Sequence, residues 1–414
     1  MLFRSDDDDD DHAPSPADTA IRVLHASPDA PNVDVLVDDQ QVLSDVPYKG
    51  ASEFLPVAEG TRNIKVNAAG TSATVIDADL PIAGDTLTTI IAADLLNRIE
   101  PLVLSDDDSP PGGDLLKIRV VHASPSAPGV DVYVTAPGED IDAVFPTLTN
   151  LFFMNASDFL DIPGDTYQIR ITPAGSDTPV FDSGPVSLDA GSILTVVAVD
   201  AVNGASPVSL VVLTNIPDLP SFEITDSRAR LRAIHSSPDA PEVDILVDGS
   251  PVAANVPFQG VLDYQAVPSG DRNITVNVAG TGTSVIDVTP NLAAGTDYTV
   301  LAVGFVSEIE PLLLLDDKTI PASGNAHLRV VHASPDAPSV DVWIDGSLVL
   351  ADVAFKQSSD YLAIPAGNTR IQVNAAGSPQ TVIDVTPLLE DGRIYTVAAI
   401  NEVSAIEPLL LTDN

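Results

Sequence analysis

One stretch of eleven residues constrains this chain more than any other. HASPDAPNVDV, beginning at His25, returns as HASPSAPGVDV at His122, HSSPDAPEVDI at His235 and HASPDAPSVDV at His332. The histidines are 97, 113 and 97 residues apart. A shift of 210 places Gly60 on Gly270, Asn67 on Asn277, Gly70 on Gly280, Asp77 on Asp287 and Glu100 on Glu310 without a gap. A further shift of 97 reaches Gly367, Asn374, Gly377, Asp384 and Glu407. Self-similarity of this kind makes each copy one structural unit. The 414 residues hold four such units, each near the usual domain size of roughly 100 residues. The second copy is the odd one: it has extra residues around TAPGEDIDAVFPTLTN, Thr172 in place of asparagine, and no IEPL near its end.

Within a copy the hydrophobic pattern is that of short strands. IRVLHAS sets Ile21, Val23 and His25 on one face and Arg22, Leu24 and Ala26 on the other, the two-residue period of a strand. VDVLVD places Val33, Val35 and Val37 together, and RNIKVNAAG turns Ile64 and Val66 inward before a glycine turn. DYTVLAVG at 297–304 is apolar almost throughout, as in a central strand covered on both faces. Turn residues punctuate the pattern and no window carries a useful helical period. Seven or eight short strands per copy predict an all-β protein of four tandem antiparallel β-sandwich modules, immunoglobulin-like or transthyretin-like. The modules are expected at 20–104, 117–213 (divergent), 229–315 and 326–412, after an acidic tether at 1–19. Segments 105–114, 215–227 and 316–325, rich in Pro, Gly and charge, read as linkers. These features predict an elongated monomeric rod of independent units.

Charge narrows the function classes. With 18 basic and 60 acidic side chains the net charge is −42, which repels nucleic acid and anionic lipid. There is no cysteine, so disulfides, thiolate metal sites and thiol catalysis are excluded. No apolar run approaches the roughly 18–20 residues of a membrane span. Six consecutive aspartates near the N-terminus form a self-repelling tether. Such tethers commonly follow an export or lipid-anchoring signal, and the start of this sequence reads as one from which that signal is missing.

The repeated stretch itself holds His25, Ser27 and Asp34, then His122, Ser124 and Asp131, His235, Ser237 and Asp244, and His332, Ser334 and Asp341. As a catalytic triad the set is poor: its members lie within ten residues, whereas triads usually assemble from distant segments around an oxyanion hole. Four identical active sites on one chain would also be required. Ser-Pro followed by Ala-Pro removes two backbone donors, so the segment must turn a corner. A strand-end imidazole and a hydroxyl are suited to satisfying the corner's backbone groups. The expectation is a structural corner and no catalytic residue. Arg22, Arg119, Arg232 and Arg329 each stand three residues before a histidine, and a cross-strand ion pair with Asp34, Asp131, Asp244 and Asp341 is the simplest expectation.

Acidic residues are the one set where a binding role has weight. Asp77, Asp182, Asp287 and Asp384 recur in all copies; Asp29, Asp239 and Asp336 give way to Ser126 in the second; Glu100, Glu310 and Glu407 sit in IEPL. Calcium takes six to eight oxygens, and junction clusters would supply them. The calcium candidates are therefore Asp77, Glu100, Asp239, Asp287, Glu310, Asp336, Asp384 and Glu407. Against them, the sequence has no compact D-x-D-x-D-G loop, and a solvated acidic surface needs no ion.

HASPDAP followed by VDV, then VNAAG, VIDVTP and YTVLAVG, resembles the bacterial and archaeal family called domain of unknown function 4397. The resemblance covers all but the tether and linkers. It implies exported, often repeated β-rich modules on or outside cells, and it implies no activity and no functional residues. Together these features point to a non-enzymatic cell-surface or secreted stalk, adhesin or matrix component. The alternative is a calcium-dependent binding module for glycans or another surface polymer. Its partners would be an extracellular polymer or a surface protein.

Overall fold

The computed structural model describes residues 19–202, 206–215 and 220–414. The expected tether lies outside the described residues, apart from Thr19. Module 1 shows how the alternating sequence becomes a sandwich. Its strands are β1 (Ala20–Ala26), β2 (Val33–Val37), β3 (Gln40–Val46), β4 (Leu55–Pro56), β5 (Gly60–Ala68), β6 (Thr74–Ile82), β7 (Leu87–Ala93) and β8 (Glu100–Ser105). One sheet runs β4-β1-β7-β8 and the other β3-β2-β5-β6. Between them Ile21, Val23, Val35, Val37, Ile64 and Ile90 form the interior, as their alternation predicts.

Modules 2, 3 and 4 repeat this plan, each with its own interior core. The sandwich is antiparallel but for one pair in each module. β1 and β7 run parallel, with Ile21 opposite Thr88 and His25 opposite Ala92, and Arg232 opposite Thr299 repeats this in module 3. The chain between these strands passes through the second sheet and returns in the same direction, which only a long crossover permits.

The second face of the β1–β7–β8 sheet corrects the expectation of independent beads. Leu24, Ala26, Ile91 and Ala93 pack in one apolar layer with Val121, Ala123, Val197, Val199 and Leu213 of module 2. Ile234, Leu301, Val303 and Leu314 of module 3 pack in the same way with Val331, Ala398, Ile400 and Leu411 of module 4. Removing a Val, Leu or Ile side chain from water is worth roughly 1.5–3 kcal/mol, so each layer is a second core shared by two modules. The strand at 297–303 is thus covered on both faces, once by its own module and once by its neighbour. The described modules form two pairs, 1 with 2 and 3 with 4.

The segment at 215–227 also departs from a plain linker. Phe222–Ile224 adds a strand to the edge strand Val208–Thr214 of module 2, and Ile224 joins that module's core. Between the pairs, Lys318 N–H donates to the Val202 carbonyl at 3.1 Å.

Candidate functional site

The histidine corner is built from backbone needs. β1 ends at Ala26 and β2 begins at Val33, leaving a Pro-containing connector whose few polar groups require partners. Ser27 N–H donates to His25 Nδ1 at 3.4 Å, and His25 Nε2 lies 3.1 Å from the Pro31 carbonyl. A carbonyl only accepts, so the proton sits on Nε2 and the ring is neutral. His122 repeats this with Ser124 N–H and the Pro128 carbonyl at 3.3 and 2.9 Å. His235 does so with Ser237 N–H and Pro241 at 3.3 and 3.0 Å. His332 keeps the bond to Pro338 at 3.1 Å, while its Nδ1 is without a partner. Each ring also meets an aromatic edge-on, Tyr48, Phe153, Phe258 or Phe355.

The serine hydroxyls do not engage these rings. Ser27 Oγ points to Asp29 at 3.5 Å, Ser124 Oγ to the buried Asp200, and those of Ser237 and Ser334 are unpartnered. Among the described residues no corner serine hydroxyl bonds an imidazole, so the arrangement a serine nucleophile needs is not formed.

Asp34, Asp131, Asp244 and Asp341 have a different task from the ion pair expected of them. Asp34 accepts Asp45 N–H at 2.8 Å and Gly70 N–H at 2.9 Å. Both donors are left-handed, with φ of 54° and 68°, so one carboxylate holds a bulge in β3 and the glycine turn of VNAAG. Asp131 holds Asn150 and Gly175, Asp244 holds Asn255 and Gly280, and Asp341 holds Asp352 and Gly377. The two N–H bonds keep the Asp34, Asp244 and Asp341 carboxyls below the ordinary aspartate pKa.

The arginines instead cross between modules. Arg22, 2% exposed, lies on the outward face of β1. It donates to the Thr214 carbonyl of module 2 at 2.8 Å and sits 3.8 Å from Asp106. Arg119 reaches back to the Ser105 carbonyl at 2.8 Å and to Asp106 at 2.5 Å. In the second pair the exchange is more complete. Arg329 takes the Leu315 carbonyl at 2.9 Å and Asp316 at 2.5 Å, and Arg232 takes the Thr412 carbonyl at 3.2 Å and Asp413 at 2.7 Å. The contacts are reciprocal, as in a two-fold interface. An aromatic ring stacks under each guanidinium: Phe54, Phe159, Tyr264 and Tyr361. Where Asp316 and Asp413 stand in modules 3 and 4, module 2 has Asn215, whose N–H bonds Ile193 as Asp413 N–H bonds Ile394. Burial pushes Arg22 down to about 10 and Arg119 down as well. For Arg232 burial also presses downward, but Asp413, Tyr264 and Asp316 outweigh it and the net shift is up.

The eight calcium candidates are scattered. Asp77 and Asp287 accept Asn63 and Asn273 at 2.8 and 2.7 Å. Asp384 is held bidentately by Arg370. Asp239 and Asp336 accept Val306 and Val403 N–H, both at 2.7 Å, at the start of short 3-10 turns, as Asp29 accepts Leu96 N–H. Glu310 bonds Lys356 and Glu407 bonds Gln259, again reciprocally across the 3–4 pair. Glu100 is exposed at the start of β8. Among the described residues no three His, Asp or Glu side chains form a group able to hold a metal ion. The signal for the inter-module acids is present in the sequence, since Asp106, Asp316 and Asp413 follow the IEPL strands, but Asp106 and Asp316 fall in segments that read as linkers and Asp413 falls just past the last expected module.

A sandwich with a parallel first strand, a histidine-braced corner and a carboxylate that clamps two turns defines a tandem β-module protein. The model of the domain of unknown function DUF4397 matches residues 19–133, 229–343 and 326–414. The chain belongs to that family. No curated protein matches it. Among solved structures, the Bacillus anthracis TIE protein is similar at 11% identity and a TM-score of 0.17, over 89% of this chain and 66% of its own. This chain thus spans just under two thirds of that protein. A family CBM26 module of Eubacterium rectale Amy13K in complex with maltoheptaose shares 10% identity over 45% of this chain and 97% of its own, also at 0.17. The pneumococcal glycogen-degrading virulence factor SpuA shares 10% over 66% and 38%, at the same score.

The corner gives stability a definite pH dependence. Burial lowers all four histidine pKa values, with the bond to the proline carbonyl offsetting part of the effect. Below the unfolded value of 6.5 the unfolded chain therefore binds more protons than the folded one. Stability is complete above that pH and falls as pH drops toward the folded values. The clamp aspartates add a second loss as pH falls below their unfolded value of 3.8. His235→Ala is expected to remove one contribution to the first slope. It also leaves Ser237 N–H and the Pro241 carbonyl unpartnered, at about 1–3 kcal/mol each. Melting curves between neutral and mildly acidic pH measure both effects; a variant that melts like the parent, with the same slope, would refute this account of the corner.

Proposed function

We propose that the chain is a non-enzymatic structural protein of the cell exterior, a stalk, adhesin or matrix component whose four modules work as two rigid pairs. The observation that carries this reading is how the recurring polar residues are used. The histidines brace corners, the VDV aspartates clamp turns, and the arginines with their acids tie one module to the next. Little recurring chemistry is left over for a reaction, and the shared layers suit a part that bears load. A net charge of −42 favours solubility in a saline exterior. No helix among the described residues is long and apolar enough to cross a membrane. Antibody labelling of intact source cells, or detection in their culture medium, tests the placement. Signal on intact cells or in the medium is the expected result; signal that appears only after lysis overturns it.

A further inference from the structure

Module 2 contains an added strand that modules 3 and 4 lack. There Phe222–Ile224 lies antiparallel to the last strand of the sheet, with Ile224 opposite Leu210 and Phe222 opposite Val212. Ile224, 8% exposed, belongs to the same core cluster as Ile169, Val196, Leu210 and Val212. Strand register identifies the matching positions in module 3. Thr195 and Thr299 both bond the inter-module arginine, which aligns Val196 with Val300, Leu210 with Pro311 and Val212 with Leu313. The partners of Asp131 and Asp244, Thr172 and Asn277, align Ile169 with Ile274.

At that same place modules 3 and 4 are open. The strands Glu310–Asp316 and Glu407–Thr412 are the last in their sheets. Beside the first is an apolar groove of about 240 Å³ lined by Ile274, Val288, Pro290, Val300, Pro311 and Leu313. Beside the second is its counterpart of about 280 Å³, lined by Ile371, Val385, Pro387, Val397, Pro408 and Leu410. Leu315 is 63% exposed and Leu410 40% on these edges, and each edge carries one proline, Pro311 or Pro408, one of the devices by which natural sheets limit edge pairing.

We propose that the outer edges of modules 3 and 4 are acceptor sites for an extended polypeptide strand from another chain, with two apolar side chains separated by one residue. The occupied copy in module 2 supplies the template: an aromatic–acidic–aliphatic strand adds to the edge, and its aliphatic residue fills the groove between the sheets. Main-chain bonds give such a strand affinity, and the groove gives it selectivity. Pro311 and Pro408 sharpen that selectivity. Each removes one N–H donor from its edge, so main-chain pairing with an arbitrary strand is weakened and a side chain that fits the groove is required. The site does not depend on where the protein resides.

The test uses the full chain and a fluorescent peptide of the sequence Pro220–Ser227, PSFEITDS. The same peptide fused after Asn414 through a flexible linker raises its effective concentration to the millimolar range. Saturable binding is expected, with slowed amide exchange at Leu313, Leu315 and Leu410 and no change at Leu210–Val212, whose edge is already covered. The peptide change Ile224→Asp should weaken binding at least tenfold, as should Leu313→Asp combined with Leu410→Asp in the chain. Both of the latter sites are partly exposed, so the variant keeps its fold, which its melting curve checks. Absence of binding by both the free and the tethered peptide, or binding indifferent to these substitutions, overturns the proposal.

Discussion

Val331→Asp is expected to separate the melting of modules 3 and 4 from that of modules 1 and 2. Val331 is wholly buried in the layer between its two modules, and an aspartate there has no cationic partner among the apolar side chains around it. An unpaired charge in such a place belongs with the largest single-residue effects, about 4–5 kcal/mol. For a unit the size of a module pair that corresponds to a fall of roughly 10–15 °C in melting temperature. Calorimetry on the full chain should then show two transitions, the upper one close to the parent's. A single unshifted transition would mean that modules 3 and 4 do not share this layer.

Arg329→Leu should be nearly as damaging, and Arg22→Leu in the first pair much less so. Removing Arg329 strips Asp316 of a 2.5 Å charged partner within a site where both side chains are buried. Breaking a buried pair from one side costs about 3–5 kcal/mol, because the remaining charge stays buried. Arg232→Leu should cost somewhat less, since Asp413, which Arg232 holds at 2.7 Å, keeps Arg329 3.9 Å away. Arg22→Leu leaves Asp106 with Arg119 still 2.5 Å away, and Asn215 supplies no second carboxylate to strand. Thermal denaturation of the three variants compares them directly. Equal losses from Arg22→Leu and Arg329→Leu would show that the acids do not set the energetics of these interfaces.

The alternation of Ile21, Val23, Val35 and Val37 was enough to read the sandwich, because a strand's inward face is set by its own residues. The pairing of modules was only half legible. DYTVLAVG showed that both faces of a strand must be covered, but periodicity does not say by what. Arg22 shares the strand face of Leu24 and Ala26, as the alternation predicts, but β1 pairs with β4 and β7 and not with the strand of Asp34, so the recurrence of the two does not reflect a contact. Two residues that recur together need not touch: Arg22 recurs because a neighbouring module faces it, and Asp34 because two left-handed turns need an acceptor. Phe222 and Ile224 carried a strand's alternation, but surrounding prolines and charge made the segment read as a linker. The acids of IEPL were visible as a set, and three-dimensional packing alone places Glu310 and Glu407 opposite Lys356 and Gln259.

The reciprocity of the inter-module contacts bears on how such a chain grows. A surface that fits a copy of itself is used up by one neighbour, so a third module has nothing left to dock against. Adding one module to the chain would leave an oily sheet face with no cover, and losing one would strip its former companion. The repeat that a gene can duplicate or delete without harm is therefore the 210-residue doublet that relates His25 to His235, and lineages carrying this architecture should change length in even steps.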